Sequence, residues 1–332
     1  MRVWSGSPLL HVEDVFEHAP FPAAHASTMA ETEAGLVAAW FAGTREGHGD
    51  VGIWVARREH GRWLYPVEVA NGRLALRRRL PCWNPVLFQR KKGEPLLLFY
   101  KVGPSPSRWW GMLLTSEDAG CSWSEPRRLP KGILGPIKNK PIQWADGRLL
   151  CPSSDEEGRW RLHLEWTDAT ATTWRRGPSL NDGPVFAAIQ PTLLTHGSRL
   201  QMLCRTRQGT IGQCWSEDGG ETWTTLAPTD LPNPDSGIDA VALADGRALL
   251  VYNHNQTGRT PLNLAISDDG EAWSAVAILE DQPGEYSYPA IIQSADGIVH
   301  VTYTWNRRRI RHVTLSPTDF CLRPIVGGLW PE

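Results

Sequence analysis

Five basic side chains lie at positions in the sequence that suit a binding site for a carboxylate. Arg205 and Arg259 each lie just ahead of a copy of a repeated turn phrase, and Lys138, Lys140 and His25 lie near the predicted starts of inner strands. A guanidinium grips a carboxylate through two parallel charge-assisted hydrogen bonds. The set therefore indicates a site for an acidic ligand. The alternative is that each of these side chains is a solvated charge on the surface, or that it links neighbouring sheets through an ion pair.

The repeated phrase is eight residues long and predicts the architecture. Residues 116–123 and 216–223 both read S-x-D-x-G-x-x-W, and residues 266–273 keep the aspartate, glycine and tryptophan. A weaker copy at 167–174 keeps the hydroxyl and the tryptophan. Another at 56–63 keeps only the tryptophan. A period of about 50 residues in a β-rich chain is typical of propeller blades.

Each residue type in the phrase suits a tight turn. The Asp carboxylate accepts hydrogen bonds from backbone N–H groups of its own turn, Gly supplies a positive φ, and Trp packs between neighbouring sheets. We therefore predict that Asp118, Asp218 and Asp268 hold turns and take no part in chemistry.

Strand and turn patterns between the phrases predict one domain over residues 1–332, with an all-β fold, a six-bladed β-propeller. The blades are predicted to begin near residues 25, 82, 137, 187, 237 and 287. The segment around residues 3–12 is predicted to add a strand to the last blade and close the ring. A propeller site lies where the inner strands converge, so its residues must come from many parts of the chain.

Composition excludes several classes of partner. The chain has 34 Lys and Arg against 36 Asp and Glu, so no basic face for nucleic acid is expected. No run approaches the roughly 20 apolar residues of a membrane span, and the N-terminus lacks the apolar core of a signal peptide. We expect a cytoplasmic protein whose six cysteines are reduced and show no metal-ligand spacing.

The phrase and its period resemble the sialidase (neuraminidase) superfamily, whose Asp-box turns and six-bladed propeller match nearly the whole chain. Residues 284–287, Gly-Glu-Tyr-Ser, are similar to the family's G-x-Y-S segment, which implies that Tyr286 is the nucleophile. Arg205 and Arg259 are placed like two of the three arginines with which the family holds the substrate carboxylate.

The loop at residues 44–53 resembles the family's loop that holds a further pocket arginine and the acid/base aspartate. The resemblance implies that Arg45 binds substrate and that Asp50 is the acid/base, with Glu46 as the alternative because the loop length is ambiguous. Lys138 and His254 are further candidates to line the pocket.

Two positions depart from the family pattern. His25 stands where the family has an arginine, and Gln190 stands where a glutamate backs the tyrosine. A phenol needs a base or nearby cations to react at neutral pH, and an amide is not a base. Asp239, which begins a blade, is the predicted replacement for the missing carboxylate.

The resemblance and the cations together predict an exo-acting glycoside hydrolase that cleaves a terminal acidic sugar (sialic, other ulosonic or uronic acid) from a glycan. That reaction needs no metal or organic cofactor. The first alternative is a uronate-cleaving lyase in which His25, His254 or Tyr286 abstracts the proton beside the carboxylate. The second is a non-catalytic propeller that binds an acidic glycan.

Overall fold

Apolar and β-branched runs between Gly-, Pro- and Asp-rich turns form the strands of the structure, a computed structural model that describes residues 9–75, 78–91, 93–156 and 158–332. A short 3₁₀ helix, Pro317–Asp319, lies between the last two strands. In chain order the strands are β1 (Leu9–Asp14), β2 (Ala23–Thr32), β3 (Gly35–Gly43), β4 (Gly52–Glu59), β5 (Arg62–Trp63), β6 (Val67–Ala75), β7 (Arg78–Leu80), β8 (Cys82–Gln89), β9 (Leu96–Val102), β10 (Trp110–Ser116), β11 (Arg127–Arg128), β12 (Ile142–Gln143), β13 (Leu149–Asp155), β14 (Arg161–Thr167), β15 (Trp174–Arg176), β16 (Ala188–His196), β17 (Arg199–Thr206), β18 (Thr210–Ser216), β19 (Ala227–Pro232), β20 (Asp239–Ala242), β21 (Ala248–Tyr252), β22 (Leu262–Ser267), β23 (Ser274–Glu280), β24 (Tyr286–Gln293), β25 (Val299–Trp305), β26 (Arg309–Leu315) and β27 (Arg323–Pro324).

Six antiparallel sheets form the six blades of a propeller, which confirms the predicted fold. Blade 1 contains β2-β3-β4-β6-β7 with β5 beside β4, blades 2, 3 and 4 contain β8 to β11, β12 to β15 and β16 to β19, and blade 5 contains β20 to β23 with β27. Blade 6 runs in the order β24-β25-β26-β1. The first strand of blade 1, β2, contacts β8 and β24, and that of blade 5, β20, contacts β16 and β24, so these first strands surround the axis. On the side of blade 3, β16 contacts β13. No helix among the described residues is long and apolar enough to span a membrane.

The first described strand belongs to the last blade. β1 pairs antiparallel with β26, from Leu9 opposite Leu315 to Asp14 opposite Arg311. The Arg311 Nε also donates to the Asp14 carboxylate at 3.2 Å. This pairing joins the two ends of the blade series. Residues 3–8 of the predicted closing segment lie outside the described residues.

The carboxylates of the two full copies of the phrase hold their turns. Asp118 accepts from the backbone N–H of Ser122 at 2.8 Å, and Asp218 accepts from the N–H and the hydroxyl of Thr222 at 2.9 and 2.6 Å. These hydrogen bonds lower the pKa of both carboxyl groups to about 2.

The copies at 266–273 and 167–174 shift the carboxylate by one position. In the copy at 266–273 Asp268 is exposed, and Asp269 accepts from the N–H groups of Glu271 and Ala272, each at 2.8 Å. The prediction for Asp268 was therefore wrong, because this copy has one residue fewer between the serine hydroxyl and the glycine. In the copy at 167–174, Asp168 bonds the following N–H groups.

The tryptophans of the phrase occupy equivalent places between blades. Trp123 packs against the core of blades 1 and 2, Trp223 against that of blades 3 and 4, and Trp273 against that of blades 4 and 5. Each turn therefore contributes its tryptophan to the apolar interface between adjacent blades.

Replacement of a carboxylate that holds a turn should destabilise the fold, whereas replacement of an exposed aspartate that holds none should not. Asp218→Ala leaves the Thr222 N–H without its acceptor and should lower the melting temperature at pH 7. The pKa of Asp218 is depressed in the fold, so this stabilisation is present above the unfolded pKa of about 3.9 and is lost as the pH falls towards 2. The gap between variant and wild type should shrink accordingly in scans at decreasing pH. Asp268→Ala is the matched control, and an equal loss there would contradict the assignment.

Candidate active site

Tyr288 lies at the centre of the cluster where the inner strands converge. Its hydroxyl oxygen accepts hydrogen bonds from Nη1 of Arg205 at 3.1 Å and from Nε2 of Gln190 at 3.4 Å. The His25 ring lies 4.5 Å from the Tyr288 ring, centroid to centroid, and the Arg259 guanidinium lies 5.8 Å from that ring. Tyr288 itself is half-buried. Negative charge on its oxygen would thus meet two hydrogen-bond donors.

Arg205, at the end of β17, holds this tyrosine in place. Its Nε and Nη2 donate to the Asp235 carboxylate at 3.0 and 2.6 Å, and its Nη1 is shared between Tyr288 and the Oε1 of Gln190. The guanidinium also lies 5.1 Å from the ring of Trp160. The predicted place of Arg205 in the central cluster is observed, but its donors are already engaged by protein groups.

Arg259 shares one carboxylate with Arg307, a residue that the sequence did not single out. Nη1 of Arg259 donates to Glu285 at 3.0 Å, and Nε of Arg307 donates to the same carboxylate at 2.9 Å. Arg307 also pairs with Glu46. In the described part of the chain, Nε and Nη2 of Arg259 have no hydrogen-bond partner, so this side chain can bind a ligand.

The surroundings of His25 disfavour its charged form, which argues against its predicted role as one arm of a cationic clamp. Burial lowers the pKa of His25 well below its usual value, and the charges of Arg307, Arg259, Arg205 and Lys138 lower it further. Its Nδ1 bonds the Thr304 hydroxyl at 3.0 Å, while its Nε2 is buried without a partner among the described residues. The third cation near this position is Arg307.

Glu156, at the end of β13, brings a carboxyl group to the cluster. Its Oε1 accepts from Nε2 of Gln190 at 2.8 Å, the same nitrogen that reaches the Tyr288 hydroxyl. Burial raises the pKa of Glu156, which favours the protonated acid. The sequence gives no motif for this residue, because it follows a second strand and lies outside every repeated phrase.

Asp50, predicted as the acid/base, instead organises its own loop. It accepts from the Thr44 N–H at 3.0 Å and hydroxyl at 2.6 Å, and it bonds His48 at 2.7 Å. Burial acts to raise the pKa of Asp50, but these bonds together outweigh it and lower the pKa, which disfavours the protonated acid. The alternative, Glu46, lines a small cavity with His25 but is ion-paired with Arg307. Arg45 is exposed on the same loop.

Asp239 and Lys138 tie the blades together at the axis. Asp239 is 3% exposed and accepts from Lys140 Nζ at 3.0 Å, from the Thr192 hydroxyl at 2.9 Å and from the Ile291 N–H at 3.0 Å. Lys138 donates to Asn139, to the Ile238 carbonyl at 2.8 Å and to the Pro289 carbonyl. Asp239 contacts no tyrosine through these bonds, so its predicted role as activator is wrong, and Lys138 has no donor left for a substrate.

Tyr286 and His254 lie outside the cluster. Tyr286 is 3% exposed, packs in the core shared by blades 5 and 6, and has a pKa raised by burial and by the charge of Glu280. A buried phenol with a raised pKa is a poor nucleophile. His254 bonds the Tyr252 hydroxyl at 2.5 Å and the Gly328 carbonyl at 3.0 Å, under the C-terminal segment.

A recurring backbone irregularity aims the central side chains. Ala26, Asn84, Lys138, Gln190 and Tyr288 all have positive φ, between 39° and 68°, at the start of their blades. The strand pairing shifts register beside four of the five. Bulges of this kind re-aim side chains, and non-glycine residues with positive φ concentrate at functional sites. The available sequence signal is a second repeat, Asn-Pro, Gln-Pro and Tyr-Pro at 84–85, 190–191 and 288–289.

The cluster offers carboxyl, guanidinium, imidazole and phenol groups but no metal centre. In the residues that the structure describes, no group of three or more His, Cys, Asp or Glu side chains is placed to hold a metal ion. All six cysteines are free.

Comparison with known proteins agrees with this architecture. The profile of the BNR repeat-like domain family matches residues 34–301. The chain belongs to the BNR repeat-like domain family. The predicted resemblance to the sialidase superfamily is thereby confirmed at the level of repeat family and fold.

Similar proteins carry sialidase names. An anhydrosialidase from Macrobdella decora is 25% identical over 233 residues, which cover 59% of this chain and 30% of that protein. NanB sialidase from Streptococcus pneumoniae superposes with a TM-score of 0.75 at 13% identity, covering 95% of this chain and 71% of the other. An intramolecular trans-sialidase from Ruminococcus gnavus gives 0.74 at 15% identity, with coverage of 91% and 96%. The chain thus spans less than a third of the curated relative, and these structural likenesses establish the propeller fold.

Removal of the axial carboxylate should destabilise this BNR repeat-like protein. Asp239→Asn leaves Lys140 half-buried without its counter-ion, a change that costs about 3–5 kcal/mol when a buried pair loses one partner. The free energy of unfolding in denaturant measures the effect. Adding Lys140→Met should recover part of the loss, because the unpaired charge is then gone. Unchanged stability with abolished turnover would instead support a direct role for Asp239.

Proposed function

We propose that this protein is an exo-acting glycoside hydrolase that removes a terminal acidic sugar from a glycan. The observation that carries the proposal is the Tyr288 hydroxyl, held by Arg205 and Gln190 and flanked by the Arg259 guanidinium. The sialidase names of the similar proteins support acidic-sugar chemistry on this fold. The sugar is a sialic acid, another ulosonic acid or a uronic acid.

The substrate carboxylate is assigned to Arg259 and Arg307. Both guanidinium groups pair with Glu285, which fixes their positions, and both retain N–H groups without a partner among the described residues. Such groups bind a carboxylate through charge-assisted hydrogen bonds. Arg205 acts through Tyr288 and is a positioning residue.

Glu156 is assigned as the general acid. Because burial raises its pKa, the carboxyl group can be protonated when substrate binds and can then transfer that proton to the leaving oxygen. Water adds to the anomeric carbon and returns a proton to the Glu156 carboxylate, so the enzyme is restored.

Tyr288 is assigned to stabilise the positive charge that develops at the anomeric carbon. Both hydrogen-bond partners of its oxygen are donors, so neither accepts the phenol proton. The electron-rich oxygen facing an oxocarbenium-like carbon lowers the energy of the transition state without covalent attack.

A uronate-cleaving lyase is the second candidate, and His25 favours it. Its Nε2 is buried and has no hydrogen-bond partner among the described residues, so this nitrogen has a free position for a substrate proton. The ring contacts Tyr288, so a substrate seated on the phenol would have this base beside it. Hydrolysis adds one water to the products, whereas elimination adds none and creates an unsaturated sugar.

Two tyrosine variants test the assignment of the site. Tyr288→Phe removes the central hydroxyl and keeps the ring, so turnover should fall by orders of magnitude with little change in substrate binding. Tyr286→Phe is the matched control and should retain near-normal turnover, since Tyr286 packs in the core. Acidic-sugar aryl glycosides and uronate oligosaccharides serve as substrates, and mass spectrometry of the products separates the two reactions.

The reverse result, with Tyr286→Phe inactive and Tyr288→Phe active, would assign the catalytic role to Tyr286 in the segment at 284–287. Tight binding of an acidic glycan with no product from any substrate would establish a binding propeller instead.

A further inference from the structure

A second cavity opens between blades 2 and 3. It has a volume of about 560 Å³, within the range of about 300–1,000 Å³ for ligand pockets, and its walls include Trp109, Trp110 and Leu134. We call this cavity the blade 2/3 cleft. It is separate from the small cavity beside His25, but Glu156 lines it.

Positive charge dominates the blade 2/3 cleft. Five cationic side chains line it against two acidic ones, Asp155 and Glu156. Asp155 is already paired with Arg176. The lining cations are Arg128, Lys131, Arg159, Arg161 and Arg176.

Three of these cations are available to a ligand. Arg128, Lys131 and Arg159 are exposed and form no ion pair with any described residue. Arg128 lies 4.5 Å from the Trp110 ring, a cation–π contact that fixes its guanidinium on the cleft wall. Unpaired cations beside aromatic rings suit a sugar chain that carries anionic groups.

The connection through Glu156 orients such a chain. Glu156 bonds Gln190 on the side of Tyr288 and faces the blade 2/3 cleft on its other side. A general acid lies beside the leaving oxygen, so the part of the substrate that departs must extend from Glu156. The blade 2/3 cleft is the cavity that Glu156 lines on that side.

We propose that the blade 2/3 cleft binds the leaving-group side of the substrate, and that this part is an anionic oligosaccharide bearing carboxylate or sulfate groups. The direction of the chain rests on the proposed function, but the affinity of the cleft for anionic sugars does not. The protein therefore cleaves a polyanionic glycan, with an acidic sugar at its end and further acidic units beyond the cleaved bond.

Calorimetry on the full chain tests this without turnover. The probes are tetragalacturonate, a sulfated tetrasaccharide and neutral cellotetraose, each at low and high salt. The combined variant Arg128→Gln, Lys131→Gln, Arg159→Gln should weaken binding of the anionic probes about tenfold or more and reduce their salt dependence. Arg175→Gln is the matched control, because Arg175 stacks on Trp166 at 3.8 Å outside the cleft.

Kinetics on an acidic-sugar aryl glycoside, whose leaving group is neutral and short, provide the second readout. The combined variant should keep kcat/KM for that substrate within about twofold, because a short neutral leaving group does not use the three cations. Stronger binding of either anionic probe than of cellotetraose, lost in the combined variant, supports the proposal and identifies the anionic group. Equal binding of all three probes, or unchanged binding in the combined variant, overturns it.

The two proposals fail separately. Loss of tetragalacturonate binding in the combined variant together with full activity of Tyr288→Phe would keep the cleft and reject the catalytic assignment. Unchanged tetragalacturonate binding in the combined variant together with an inactive Tyr288→Phe would keep the catalytic assignment and reject the cleft.

Discussion

The cross-ring ties at the axis are the interactions on which the site depends. Inner strands of a propeller meet where no sheet continues, so polar groups there need partners from other blades. Asp239 supplies them by accepting from residues of blades 3, 4 and 6, and Lys138 supplies them by donating to carbonyls of blades 5 and 6. One of those carbonyls belongs to Pro289, directly after Tyr288. The ties that close the centre of the ring thus also fix the backbone that presents the central phenol.

Each arginine of the cluster is paired with a nearby carboxylate. Arg205 is matched by Asp235, and Arg259 and Arg307 are matched by Glu285, so three guanidinium groups stand together without mutual repulsion forcing them apart. Burial lowers the pKa of His25, and the charges of these cations lower it further. An acidic ligand would form further charge-assisted hydrogen bonds with Arg259 and Arg307. A neutral sugar would gain little binding energy from these two cations.

The fold could be predicted because its signal is local and repeated. Turn residues at a period of about 50 define the blades, and the starts predicted at 82, 187 and 287 lie within one residue of β8, β16 and β24. The shift from Asp268 to Asp269 could not be predicted, since a one-residue difference between copies is invisible until the hydrogen bonds are known.

The site was predicted only in part, and the reason is the bulge at the start of each inner strand. Arg205, Arg259 and Gln190 were identified because they precede turns or match a family segment. Tyr286 and Tyr288 are two residues apart and would share a face in a regular strand. The register shift after Ser287 and the positive φ of 49° turn Tyr288 to the axis and leave Tyr286 in the core. Glu156 reaches the cluster from a loop without a repeated phrase.

A crystal structure of the protein with a bound acidic monosaccharide is the most direct test of this account. The account predicts the sugar carboxylate within hydrogen-bond distance of both Arg259 and Arg307, with the anomeric carbon over the Tyr288 oxygen and its substituent directed towards Glu156. A sugar bound elsewhere on the propeller, or one whose carboxylate contacts neither arginine, would contradict it.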